Sequence, residues 1–139
     1  MFKGGKEEAA KMLNLLGGQA AKDLLEQIRQ KDPILASELE DMLVRIEDLR
    51  HLTDNMKVTL LRDIDLELFG QALRTVDKDI VSEILKGLSS GIILDIEEGL
   101  KGKPMPLSKA EEAQDKVLEI VREKIDKGQI VLKDDDEYV

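Results

Sequence analysis

Apolar residues recur three and four positions apart along almost the whole chain, in short runs closed by glycine, proline or a capping residue. That spacing gathers each run's apolar side chains on one face of an α-helix, and a helix with one apolar face must bury it against a neighbour. Few β-branched runs interrupt the pattern, and Leu, Glu, Lys and Ala dominate, so local propensity also favours helix. Aromatics make up 2% of the 139 residues, so the core must be aliphatic. The expected fold class is all-α, a stack of short helical pairs followed by a small bundle.

The stripes and stops place the elements. Residues 6–16 carry Ala9, Ala10, Leu13 and Leu16 on one face, and Gly17-Gly18 ends them. Residues 19–30 repeat the pattern with Ala20, Leu24, Leu25 and Ile28. Asp32-Pro33 reads as a cap followed by a proline at the first helical position, where no amide hydrogen is needed. The spacing of Leu35, Leu39, Met42, Leu43, Ile46 and Leu49 predicts a helix running to about Arg50. Thr53 or Asp54 opens the next helix, a turn at Asp65 leads into Leu66, Phe69 and Leu73, and Asp77 opens the stripe Ile80, Val81, Ile84, Leu85, Leu88. Ser89-Ser90 caps a helix to Leu100, and the Gly102–Pro106 stretch breaks the chain. Ser108-x-x-Glu111 reads as a capping box before the longest helix, which Gly128 stops. Ile130–Leu132 are expected to form a short extended piece docked on the bundle, and Asp134–Glu137 a solvated tail.

Composition removes most chemistry. With no cysteine and one histidine, His51, thiolate sites and two-histidine metal sites are excluded. The acidic Asp134–Glu137 run lacks the alternating ligands and central glycine of a calcium loop. No metal or cofactor is expected. The net charge of −9 repels phosphate backbones, so nucleic acid is not an expected partner. No apolar run reaches the roughly 20 residues a bilayer needs, and a cytoplasmic domain is expected. Ser89-Ser90-Gly91 is a helix start and not a nucleophile elbow, and no glycine cluster has phosphate-loop spacing. His51 follows Arg50 at a helix end, where it can meet the last carbonyls. Glu97-Glu98 and Glu111-Glu112 splay apart as neighbours on a helix and form no acid–base pair. An enzyme is not expected.

The order of short motifs adds a resemblance. Gly4-Gly5 with Ala9-Ala10 and Met12-Leu13-Asn14, Asp32-Pro33 with Leu35-Ala36, Met42 with Glu47-Asp48-Leu49, and Leu61-Arg62-Asp63-Ile64-Asp65 follow in sequence. Ala72-Leu73-Arg74, Leu107-Ser108 with Glu111-Glu112 and Gln114, and Gly128-Gln129-Ile130-Val131-Leu132 complete the series. In that order they resemble the C-terminal region of the FliG flagellar motor-switch family. The resemblance implies an armadillo-like three-helix part at 1–48 and a six-helix part at 49–139 with an acidic tail. It implies a non-enzymatic rotor domain at the cytoplasmic face of the bacterial flagellar basal body. Its partners would be the stator's cytoplasmic loop and rotor or switch proteins, with torque, motility and chemotactic switching passing through a charged ridge. Arg74, Glu97 and Glu98 match that ridge, whereas Gly91 and Pro106 stand where basic residues are expected. The hinge maps to Met42, Leu43, Val44, Arg45 and Ile46, one residue longer than the family's, and is expected to be ordinary helix. The family's preceding domains have no counterpart here, which reads as a fragment or a short paralogue. Two other readings share the fold: a helical adaptor that binds rotor proteins or its own copies through apolar helix faces, and a magnesium-sensing cytoplasmic domain.

Overall fold

The computed structural model describes residues 5–132, and the acidic run Asp134–Glu137 lies outside them. The described residues form eight α-helices: α1 Gly5–Leu16, α2 Gly18–Lys31, α3 Pro33–Met42, α4 Asp54–Leu61, α5 Leu66–Ala72, α6 Lys78–Leu85, α7 Ser90–Leu100 and α8 Leu107–Asp126. One 3₁₀ segment, Ile46–His51, joins them, and no strand is present among the described residues. They fall into two compact units that meet in sequence between Val44 and Arg45.

In the first unit α3 packs on both α1 and α2. Ala10, Leu13, Ala21, Leu25, Ala36 and Leu39 form its buried centre. Gly17 and Gly18 both take positive φ, 60° and 53°, which lets α2 start one residue after α1 stops. Asp32 caps α3 by accepting the Leu35 amide at 3.1 Å, with Pro33 first in the helix. Ion pairs Lys6–Glu38 and Arg29–Glu40 tie the outer faces to α3.

In the second unit α5 lies against α7 and α8, α6 against the 3₁₀ segment, and α4 against α8. Phe69, Leu49, Leu60, Leu73, Ile96, Val117, Val121 and Ile130 are its largest fully buried side chains. Thr53, Asp65 and Ser89 cap α4, α5 and α7 by accepting the amides of Met56, Glu67 and Ile92. Ile130 and Leu132 are buried while Val131 is exposed, so the segment after α8 docks every second residue without forming a strand.

Two expectations are corrected. The helix predicted to reach about Arg50 ends at Met42; Leu43 and Arg45 are extended, with ψ of 147° and 154°, and a 3₁₀ turn follows. The stretch predicted as an ordinary helical hinge is therefore a break. Two side chains capture its amides: the Val44 N–H donates to Asn14 Oδ1 at 3.2 Å, and the Arg45 N–H to Asp48 Oδ2 at 2.9 Å. The capping box at Ser108 does not form, because α8 begins at Leu107 with Pro106 at the capping position. Ser108 is already inside the first turn, where its hydroxyl has no cap to make.

Candidate functional site

Helices α5 and α7 touch backbone to backbone. A Cβ on Gly70 of α5 would lie 1.9 Å from the Ile96 carbonyl oxygen, and one on Gly99 of α7 would lie 1.9 Å from that of Glu67. Only hydrogen fits at either position. The sequence carried a signal for this contact: a glycine inside a helix lowers propensity by about 1 kcal/mol relative to alanine, so two facing ones point to a close approach.

This approach brings the residue after α5 to the end of α7. Arg74, half-buried, donates from Nε to the Gly99 carbonyl at 2.8 Å and from Nη1 to the Lys103 carbonyl at 2.7 Å. The last carbonyls of a helix lack partners within it and carry partial negative charge, so a guanidinium there both caps and neutralises the end. Gly102 leaves room for it, since a Cβ there would stand 3.1 Å from Arg74 Nη2 and 2.8 Å from the Glu98 carbonyl. Glu97 is half-buried and ion-paired with Lys101 one turn on. Glu98 is exposed. Arg74, Glu97 and Glu98 thus meet at one end of one helix.

The two positions where the resemblance implies basic residues differ from each other. Gly91 is exposed in the first turn of α7, and a Cβ on it would meet nothing within 4 Å. Pro106 is the residue before α8, and its carbonyl accepts the amides of Lys109 and Ala110 at 3.0 and 3.3 Å. Lys103 supplies a backbone carbonyl to Arg74, and Lys101 its charge to Glu97.

Helix ends elsewhere in this unit are held the same way, by side chains that the periodic pattern does not single out. Lys57 of α4 is buried and donates to the carbonyls of Glu83 and Lys86 at the end of α6, both at 2.8 Å. Burial pushes its ammonium below the ordinary lysine range. Gln114 of α8 donates to the Ala72 carbonyl at 2.9 Å and to Thr75 Oγ1 at 2.6 Å, closing α5. His51 is exposed and accepts at Nε2 from Arg50 Nε at 3.4 Å, so it meets its neighbour's guanidinium and not a helix carbonyl. Among the described residues no three His, Asp or Glu side chains converge to hold a metal ion, and no helix is long and apolar enough to cross a membrane.

Short helices packed with interlocked ends define an all-α helical domain. The FliG C-terminal domain family matches residues 26–132, and the chain belongs to that family. The chain is similar to the flagellar motor switch protein FliG of Vibrio cholerae, 31% identical over 130 residues that cover 93% of this chain and 37% of that protein. It is similar to FliG of Aquifex aeolicus at 31% over 131 residues, 94% of this chain and 40% of that protein. Among solved structures, residues 86–343 of H. pylori FliG superpose with a TM-score of 0.79 at 29% identity, covering 94% of this chain and 62% of that one. Full-length A. aeolicus FliG superposes with a TM-score of 0.56, also at 29%, over 92% of this chain and 40% of that one. The chain spans about two fifths of the length of the curated relatives it matches.

Proposed function

We propose that this domain is a non-enzymatic part of a flagellar rotor, at the cytoplasmic face of the basal body, and that it meets the stator's cytoplasmic loop with the end of α7. The observation that carries the reading is the gathering of Arg74, Glu97 and Glu98 there, in a chain similar to motor switch proteins over 93% of its length. Arg74 holds the helix end in place as well as adding charge. Glu97 is shared with Lys101, and Glu98 is the exposed carboxylate of the set. The ridge is a divergent one, because Gly91 and Pro106 supply no charge. The Met42–Ile46 break is the hinge in this reading, with Asn14 and Asp48 holding its two central amides. Exposed Met12, Leu15 and Leu16 on α1 favour a second contact, with neighbouring rotor proteins or other copies of the chain, through an apolar helix face.

The test is a chimera in which this domain replaces the matching region of a full-length switch protein. Each exposed ion pair contributes only about 0–1 kcal/mol, so lacking two weakens a transient contact and blurs its orientation without unfolding anything. The chimera is expected to swim poorly. Gly91→Arg, which has open space, is expected to improve swimming, Pro106→Arg to add to it, and Glu98→Lys to impair it. A chimera that swims like wild type and ignores Glu98→Lys refutes the ridge.

A further inference from the structure

The link between α7 and α8 contains Lys103-Pro104-Met105-Pro106. The rings of Pro104 and Pro106 fix φ near about −65°, and a residue that precedes a proline is kept out of the helical region. Lys103 and Met105 each precede one, so all four backbones are restricted before anything packs on them. Pro106 has φ −60° and ψ 145°, the values of a polyproline II helix. Both ends of the segment are fastened. The Lys103 carbonyl accepts Arg74 Nη1 at 2.7 Å, and the Pro106 carbonyl accepts the first free amides of α8, those of Lys109 and Ala110. Between the two ends, the carbonyls of Pro104 and Met105 accept no hydrogen bond from a described residue. Met105 is half-buried, whereas Pro104 and Pro106 are exposed and Leu107, which follows them, is 63% exposed. A polyproline II helix has about three residues per turn, so one edge, that of Met105, rests on the fold and two edges face water. Lys103 is exposed as well, and its ammonium makes no ion pair with a described residue.

A segment already held in this conformation loses little entropy on binding. What it offers is two flat proline rings, a leucine, two free carbonyls and one cation. An aliphatic groove would cover the rings but leave the carbonyls dry and unpaired. Aromatic side chains answer both needs, because proline rings pack on their faces while an indole N–H or phenol O–H donates to the carbonyls. A carboxylate beside the aromatics meets Lys103 and sets the direction in which the segment lies. A second copy of the chain supplies no such cleft. It has no tryptophan, Phe69 is buried, and Phe2 and Tyr138 stand at opposite ends of the sequence.

We propose that Lys103–Leu107 is a preformed polyproline II ligand for a partner protein whose groove is walled by aromatic side chains and flanked by a carboxylate. Pro104, Pro106 and Leu107 fill the groove, the Pro104 and Met105 carbonyls accept its donors, and Lys103 meets the carboxylate. This interaction goes beyond the rotor reading and does not depend on it.

The full chain, isotope-labelled, is titrated with a synthetic β-hairpin peptide carrying two cross-strand tryptophans and an aspartate beside them. A matched hairpin has leucine in place of both tryptophans. The tryptophan hairpin is expected to shift the amides of Lys103, Met105 and Leu107 first, and the leucine hairpin to bind about fivefold more weakly. Pro104→Ala combined with Pro106→Ala removes both rings and frees the backbone, and is expected to weaken binding about tenfold. Lys103→Gln is expected to weaken it about threefold at low salt and to have no effect at high salt. Leu94→Ala, at an apolar residue equally exposed on α7, is expected to alter binding less than about twofold. First shifts outside residues 103–108, equal affinity for the two hairpins, or a double proline variant that binds like wild type would each overturn the proposal. The two hairpins are compared on the wild-type chain, so that result stands even if a variant folds poorly. Tyr138→Ala is measured without peptide. Shifts at residues 103–107 in that variant would mean that the chain's own tail covers the segment, which also overturns the proposal.

Discussion

Two glycines give a controlled comparison at the residue scale. In an open helical position Gly→Ala stabilises, by up to about 1 kcal/mol, because alanine loses less backbone freedom on folding. Gly91 is such a position, with nothing within 4 Å of its missing Cβ. Gly70 is the opposite, because its Cβ would lie 1.9 Å from a backbone oxygen of α7 that cannot rotate away. Alanine there must push the two helices apart, and the expected destabilisation is at least about 1–3 kcal/mol, the usual result of overpacking, with more if the Arg74 clamp is displaced as well. Urea denaturation of the two variants checks this. Gly91→Ala is expected to move the midpoint up and Gly70→Ala to move it down, and a Gly70→Ala midpoint at or above wild type would show that α5 and α7 do not touch as described. The stripe pattern alone did not reveal Gly70 or Gly99, because periodicity reads which residues are apolar and is silent about a residue whose value is its lack of a side chain.

At the scale of elements, the sequence was legible wherever the deciding contact is local. Asp32, Thr53, Asp65 and Ser89 each stand within three residues of the amide they accept, and each marks a helix start that their residue types announce. It was illegible where the deciding partner is distant. Leu43, Ile46 and Leu49 keep helical spacing, yet Asn14, thirty residues back, takes the amide of Val44, and the helix is already over. Helix ends are equally non-local: α6 is closed by Lys57 of α4, α7 by Arg74 after α5, and α5 by Gln114 of α8. Arg74, Glu97 and Glu98 stand out in the sequence only through resemblance, since nothing in their spacing says that Arg74 meets the end of α7. Lys57→Met tests how far such a clamp matters, keeping the aliphatic stem while removing both donors. It leaves two carbonyls at the end of α6 without their partner, and the expected loss is about 1–3 kcal/mol. Native-state hydrogen exchange is expected to show it first in the last turn of α6. Uniform exchange changes across the second unit would mean that Lys57 acts through the core and not through the cap.

For the whole molecule, acid sets two effects against each other. At neutral pH the chain carries −9, so protonating carboxylates relieves self-repulsion and favours the compact state. Asp63 works the other way. The ammonium of Lys124, buried in α8, bonds the Asp63 carboxylate in the turn after α4 and holds that carboxyl below its ordinary pKa. Lys124 Nζ also bonds Gln129 Oε1 at 3.2 Å, and its backbone carbonyl accepts the amides of Gln129 and Ile130, so one residue fastens both α4's exit and the segment that buries Ile130. A carboxyl whose pKa is depressed by folding contributes stability that is present above its unfolded value, about 3.9, and is lost as pH falls through the lower folded value. The bridge therefore stabilises the fold at pH 5–7 and gives way only below about pH 4. Asp63→Asn removes the charge and leaves Lys124 buried without its anion, so the variant is expected to be less stable than wild type at pH 7. The gap should narrow as pH falls below about 4 and go on narrowing as wild-type Asp63 takes up its proton. Urea midpoints of both proteins across that range decide the matter: parallel curves would mean that Lys124 is satisfied without Asp63, and that the fastening of the C-terminal segment rests on Gln129 and the backbone alone.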